Sequence, residues 1–120
     1  MDARRNLQRL TMNKIILKGI PASSGVAEGT AKIVSGSQDQ DSFSEGDILV
    51  TRITDPTMVL MMSKAAGIVC NIGGITSHPS IVSREMGIPC VVGTETATKQ
   101  LKDGMRIKVD GTKGEVYILT

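Results

Sequence analysis

Apolar and polar positions along this 120-residue chain fall into short blocks with sharp punctuation. KIILK, from Lys14, and GTAKIV, from Gly29, read as strands, with a turn region GIPASSG between them. Residues 35–45, SGSQDQDSFSE, carry no hydrophobic period and predict a polar loop. GDILVT is a short buried strand. Asp55-Pro56 then predicts a helix start, because Asp caps well and Pro fits a first position whose N–H needs no partner. That helix runs through TMVLMMSKAA to Gly67, with Met58, Met61 and Met62 at helical spacing and read as core packing. GIVCN is an apolar strand. Gly73-Gly74 and ITSH follow, then a second helix from Pro79 to Met86 closed by Gly87. IPCVV is the next strand, TETATKQLK a short helix or loop, and MRIKVD with EVYIL a closing hairpin.

Residues 1–13 read as a polar tail, with Met12 a second candidate start, and 14–120 as one domain. Strand-turn-helix-strand in the middle and antiparallel strands at both ends predict an α/β fold, a compact sandwich with a mixed sheet.

Composition sharpens this picture in three places. Hydrophobic residues make up 40% of the chain but aromatics only 2%, so the core must be aliphatic. The net charge of +2 comes from the front, where Arg4, Arg5, Arg9 and Lys14 meet a single acid, Asp2. Without a basic stripe, and with almost no aromatics to stack on bases, a nucleic-acid partner has little support. Cys70 and Cys90 are not in a CxxC spacing and sit in apolar runs, which predicts buried, reduced thiols. The front has no continuous apolar segment and no run reaches membrane-spanning length, so the expectation is a cytoplasmic protein with no membrane partner.

The chemistry concentrates in GIVCNIGGITSHPSIVSREMGIPCVVG, Gly67 to Gly93. A buried strand runs into two glycines, two hydroxyls and the chain's one histidine, at the start of a helix. Gly73 and Gly74 let the backbone turn and approach a ligand closely. The helix start leaves unpaired N–H groups and a partial positive charge, which suits an anion. Imidazole is a nucleophile available at neutral pH, and Thr76 and Ser77 carry hydroxyls able to donate to phosphoryl oxygens. Other readings compete with this one. A lone histidine is more often a structural or capping residue than a catalytic one. A metal site needs more ligands than one histidine supplies. Adjacent Ser77 and His78 cannot readily face each other as a hydrolase pair. GGITSH matches neither phosphate-binding glycine motif.

GGITSHPSIVSREMGIPCVVGT resembles the GGxTSHxAIxARExGIPxVVG signature of the phosphohistidine swivelling domain of phosphoenolpyruvate-utilising enzymes. KGIPASSGVAEGTAKIV, Thr54-Asp55-Pro56 and LKDGMRIKVDGTKGEVY extend the resemblance over roughly residues 14–119. It implies a swivelling β/β/α sandwich in which His78 is the phosphoryl acceptor. Thr76 matches a hydroxyl close to the phosphoryl group, a regulatory phosphorylation site in plant-type dikinases, and Gly73 and Gly74 match the turn. It implies a phosphoryl carrier of a phosphoenolpyruvate synthase- or pyruvate phosphate dikinase-like phosphotransferase, one component that is incomplete alone. No cofactor is expected on this domain. Mg²⁺ and ATP or phosphoenolpyruvate would belong to partner chains or domains, one binding ATP and one binding phosphoenolpyruvate or pyruvate. The alternative is a non-enzymatic regulatory or interaction module with the same fold. Pro79 departs from the signature's Ala. Because proline disfavours helical geometry in the residue before it, His78 is expected at the N-cap.

Overall fold

A computed structural model describes residues 14–119; the expected polar tail 1–13, with Met12, lies outside the described residues. Eight strands form one mixed sheet: β1 Lys14–Lys18, β2 Ile20–Ser23, β3 Val26–Val34, β4 Ile48–Thr51, β5 Gly67–Cys70, β6 Cys90–Val92, β7 Arg106–Asp110 and β8 Glu115–Ile118. Their order is β1-β8-β7-β3-β4-β5-β6-β2. Strands β3 to β6 run parallel, and every other pairing is antiparallel. The helices are α1 Val59–Lys64, preceded by a 3-10 turn Pro56–Met58, then α2 His78–Met86 and α3 Ala97–Gln100.

The long strand β3 divides the sheet into two layers. Its first half, Val26 to Thr30, pairs with β7, and its second half, Ala31 to Val34, pairs with β4. Gly29 sits just before the crossover, where a Cβ would come within 2.7 Å of the Gly46 carbonyl. Side chains alternate across the parallel strands. Ile48, Val50, Val69 and Val91 face Ile107, Val109 and Val116 between the two layers. Leu49, Ile68, Cys70, Cys90 and Val92 face Met58, Met61 and Met62, with Val82 and Met86 of α2 against them. This is the expected β/β/α sandwich, with an aliphatic core.

Both cysteines are buried and free. Burial pushes the Cys90 thiol up to about 11, and pushes Cys70 well above the ordinary thiol range. Asp55 caps the 3-10 turn, accepting from the Thr57 N–H at 2.8 Å, with Pro56 behind it. Among the described residues, no helix is long and apolar enough to cross a membrane.

Two segments differ from the sequence expectation. Part of the turn region GIPASSG is strand β2, Ile20–Ser23, antiparallel to β6. Pro21 is tolerated because β2 is an edge strand, where a missing N–H leaves no ladder bond unmade. The polar stretch 35–45 contains a 3-10 segment, Ser37–Ser42, and the Asp39 carboxylate accepts from the Ser35 N–H at 2.8 Å.

Candidate functional site

The carboxyl ends of the parallel strands β4, β5 and β6 lie side by side, the place where open α/β sheets bind ligands. The three following loops are stitched together by their backbones. Asn71 N–H donates to Thr51 O at 3.1 Å, Ile72 N–H to Arg52 O at 3.0 Å and Glu95 N–H to Asn71 O at 2.9 Å. Thr94 donates its hydroxyl to Cys70 O at 2.9 Å. Asn71 bonds Thr98 through both its amide nitrogen and its amide oxygen, which ties α3 to the same loop.

His78 stands on this platform, half-buried, as the first residue of α2. The N-cap is Ser77, extended at ψ 162°, so the expectation of His78 at the cap is corrected by one residue. Proline falls at the second helical position, where an N–H has no intrahelical partner to lose. The bias against helical geometry before proline is outweighed by two bonds. Ile81 N–H reaches Ser77 O at 3.0 Å, and Thr54 Oγ1 lies 2.7 Å from His78 Nδ1.

Thr54 is the site residue that sequence reasoning left without a role. It is 3% exposed and sits between β4 and the capped turn. Its only sequence signal was its place before Asp55-Pro56. With Nδ1 engaged by Thr54, Nε2 is the ring nitrogen left without a hydrogen-bond partner among the described residues. The Asp55 carboxyl is held below its usual range, chiefly by hydrogen bonds from Thr57, with a smaller contribution from charge on His78.

The glycine pair splits into two roles. Gly73 has φ 136°, and a Cβ there would press on Ser77 Oγ at 2.8 Å. A Cβ on Gly74 would meet nothing within 4 Å, so the space beside it is open. The two hydroxyls also separate. Ser77 Oγ donates to Gly74 O at 2.8 Å and lies 3.2 Å from Ser80 Oγ, so it belongs to the loop's own framework. Thr76 is exposed, and its hydroxyl has no hydrogen-bond partner among the described residues. Ile53, Ile72 and Ile75, all exposed, lie on the loops next to the histidine. Among the described residues, no three His, Cys, Asp or Glu side chains are grouped to hold a metal ion.

The fold is a β/β/α sandwich that places one imidazole, with Nδ1 against Thr54, at the mouth of its parallel strands. Residues 43–114 match the family described as PEP-utilising enzyme, mobile domain, and the chain belongs to that family. It is 50% identical over 116 residues to a probable phosphoenolpyruvate synthase of Archaeoglobus fulgidus, covering 97% of this chain and 15% of that protein. It is 55% identical over 104 residues to the phosphoenolpyruvate synthase of Pyrococcus furiosus, covering 87% and 13%. The solution structure of an Enzyme I protein superposes with a TM-score of 0.55 at 34% identity, over 62% of this chain and 31% of that one. The chain thus spans about one seventh of the length of the synthases it matches.

Proposed function

We propose that this chain is the phosphoryl-carrier part of a phosphoenolpyruvate synthase- or pyruvate phosphate dikinase-like phosphotransferase, transiently phosphorylated on His78. The observation that carries the reading is the Thr54–His78 contact, 2.7 Å at Nδ1, on a half-buried ring at a helix start. With Nδ1–H donating to Thr54 Oγ1, the Nε2 lone pair forms a new bond to phosphorus as the donor's P–O bond breaks and its electron pair leaves with oxygen. The reverse displacement passes the phosphoryl group to the next acceptor. The positive end of α2 favours the resulting dianion, by about 0.3–1 kcal/mol.

That is far too little to drive transfer from ATP or phosphoenolpyruvate. Mg²⁺ and a cationic clamp on other domains supply the charge neutralisation that transfer requires. The exposed side chains of Ile53, Ile72 and Ile75, on loops at the same end of the sheet, offer those domains an apolar surface to cover. Thr76, two residues before His78 and exposed, is the hydroxyl open to a phosphoryl group or to modification.

The test is intact mass after incubation with ATP-binding and phosphoenolpyruvate-binding domains of a related synthase and Mg-ATP or Mg-phosphoenolpyruvate. The reading expects one phosphoryl group that is acid-labile, base-stable and absent from His78→Ala. Acid-stable phosphate confined to Thr76 or Ser77, or no label at all, would favour the non-enzymatic module instead.

A further inference from the structure

Ser77 at the N-cap of α2, with Ser80 and Arg84 on the helix, grips the loop that leads into His78. Ser77 and Ser80 both donate to Gly74 O, at 2.8 and 2.6 Å. Arg84 donates to the next carbonyl, Ile75 O, at 2.7 Å through one guanidinium nitrogen. Its other terminal nitrogen donates to Ala22 O of β2 at 2.8 Å. Two consecutive peptide planes are therefore turned with their carbonyls toward the helix. Because trans peptides are planar, their N–H groups face the opposite way. Of the three residues, Arg84 reaches outside the loop to a strand 62 residues earlier in the chain.

We propose, building on the carrier reading, that Arg84 is a positioning residue for His78. By bridging the Ile75 and Ala22 carbonyls it pins the loop to β2, and so keeps the imidazole seated on Thr54 with Nε2 outward. Both donors come from one planar group whose fork geometry a lysine ammonium lacks.

The experiment reads which nitrogen reacts and requires no partner protein. Zwitterionic phosphoramidate phosphorylates free imidazole nitrogens. The ring lone pair bonds to phosphorus, the P–N bond breaks, and neutral ammonia leaves with that bond's electron pair. Wild type, Arg84→Gln and Arg84→Lys are treated alike, and the two phosphohistidine isomers are counted by ³¹P and ¹H–¹⁵N NMR. The chain's one histidine makes the count unambiguous.

Wild type is expected to react at Nε2. Arg84→Gln is expected to lower the Nε2-to-Nδ1 ratio about tenfold, the scale of losing one hydrogen bond from a charged donor. Arg84→Lys should fall between them. A folded Arg84→Gln protein with the wild-type ratio overturns the proposal, even if its Tm drops, because that is what simple stabilisation predicts. A mixture of isomers in wild type overturns it too. If Arg84→Gln loses its native spectrum, Arg84→Lys carries the same test. Failure of the carrier reading would appear only in the enzymatic labelling experiment, so the two can be told apart.

Discussion

The proton between Thr54 and His78 can sit on either partner, and the choice decides whether Nε2 is a nucleophile. If Nδ1–H donates to the hydroxyl, Nε2 keeps its lone pair; if the hydroxyl donates, Nε2 carries the proton. The carrier role requires the first arrangement, and the ¹H–¹⁵N spectrum of the sole histidine should display the Nδ1–H tautomer. Thr54→Val should shift that tautomer balance and slow transfer on the order of tenfold, the worth of one hydrogen bond. An unchanged spectrum would remove Thr54 from the site. A second group titrates for a local reason. Tyr117 donates to Glu115 at 2.6 Å, and that bond to a carboxylate pushes the phenol up to about 12. Its folded value is raised, so the contribution to stability is full below the unfolded phenol range and is lost as pH rises through about 12. Ultraviolet titration of this single tyrosine should show the high midpoint, and Glu115→Gln should return it toward the ordinary value.

Helix α2 shows how much a short element gains from its ends. Ser77 opens it in extended geometry and Gly87 closes it at φ 70°, in the left-handed region that favours glycine. Between them, one face packs Val82 and Met86 on the sheet, while Ser77, Ser80 and Arg84 hold the incoming loop. Pro79 adds a fixed φ to a turn already set by these contacts. Pro79→Ala should therefore change unfolding free energy by within about 1 kcal/mol. A larger loss in urea denaturation would mean that the proline itself holds His78 in place.

At the scale of the whole molecule, a carrier role depends on what the described residues around His78 supply for charging the ring. They supply hydroxyls, carbonyls, isoleucines and the Asp55 carboxylate, with Arg52 on a neighbouring loop, and the nearby Arg84 is bonded to two backbone carbonyls. Phosphoryl transfer needs groups that hold the donor's phosphates and neutralise the charge that develops on them. Purified chain with Mg-ATP alone, or with Mg-phosphoenolpyruvate alone, should gain no phosphate at a useful rate. Rapid stoichiometric labelling of His78 under those conditions would place the machinery within this chain.

By itself the sequence determined the blocks and their character. Short apolar runs such as ILVT and GIVC, rich in β-branched residues and bounded by glycines and polar turns, read as strands covered on both faces, and the aliphatic composition dictated the core that fills them. The GGITSH segment marked the histidine and its glycines, because close backbone approach and a helix start are written in local residue types. Tertiary structure alone decided which partners those residues meet. Thr54 lies 24 residues before His78, and Ala22 lies 62 before Arg84. No local pattern encodes such contacts, because they arise when parallel strands bring the ends of distant segments to one edge. Strand β2 was hidden for the same reason: Pro21 and its serines read as a turn until β6 gave them an edge to pair with.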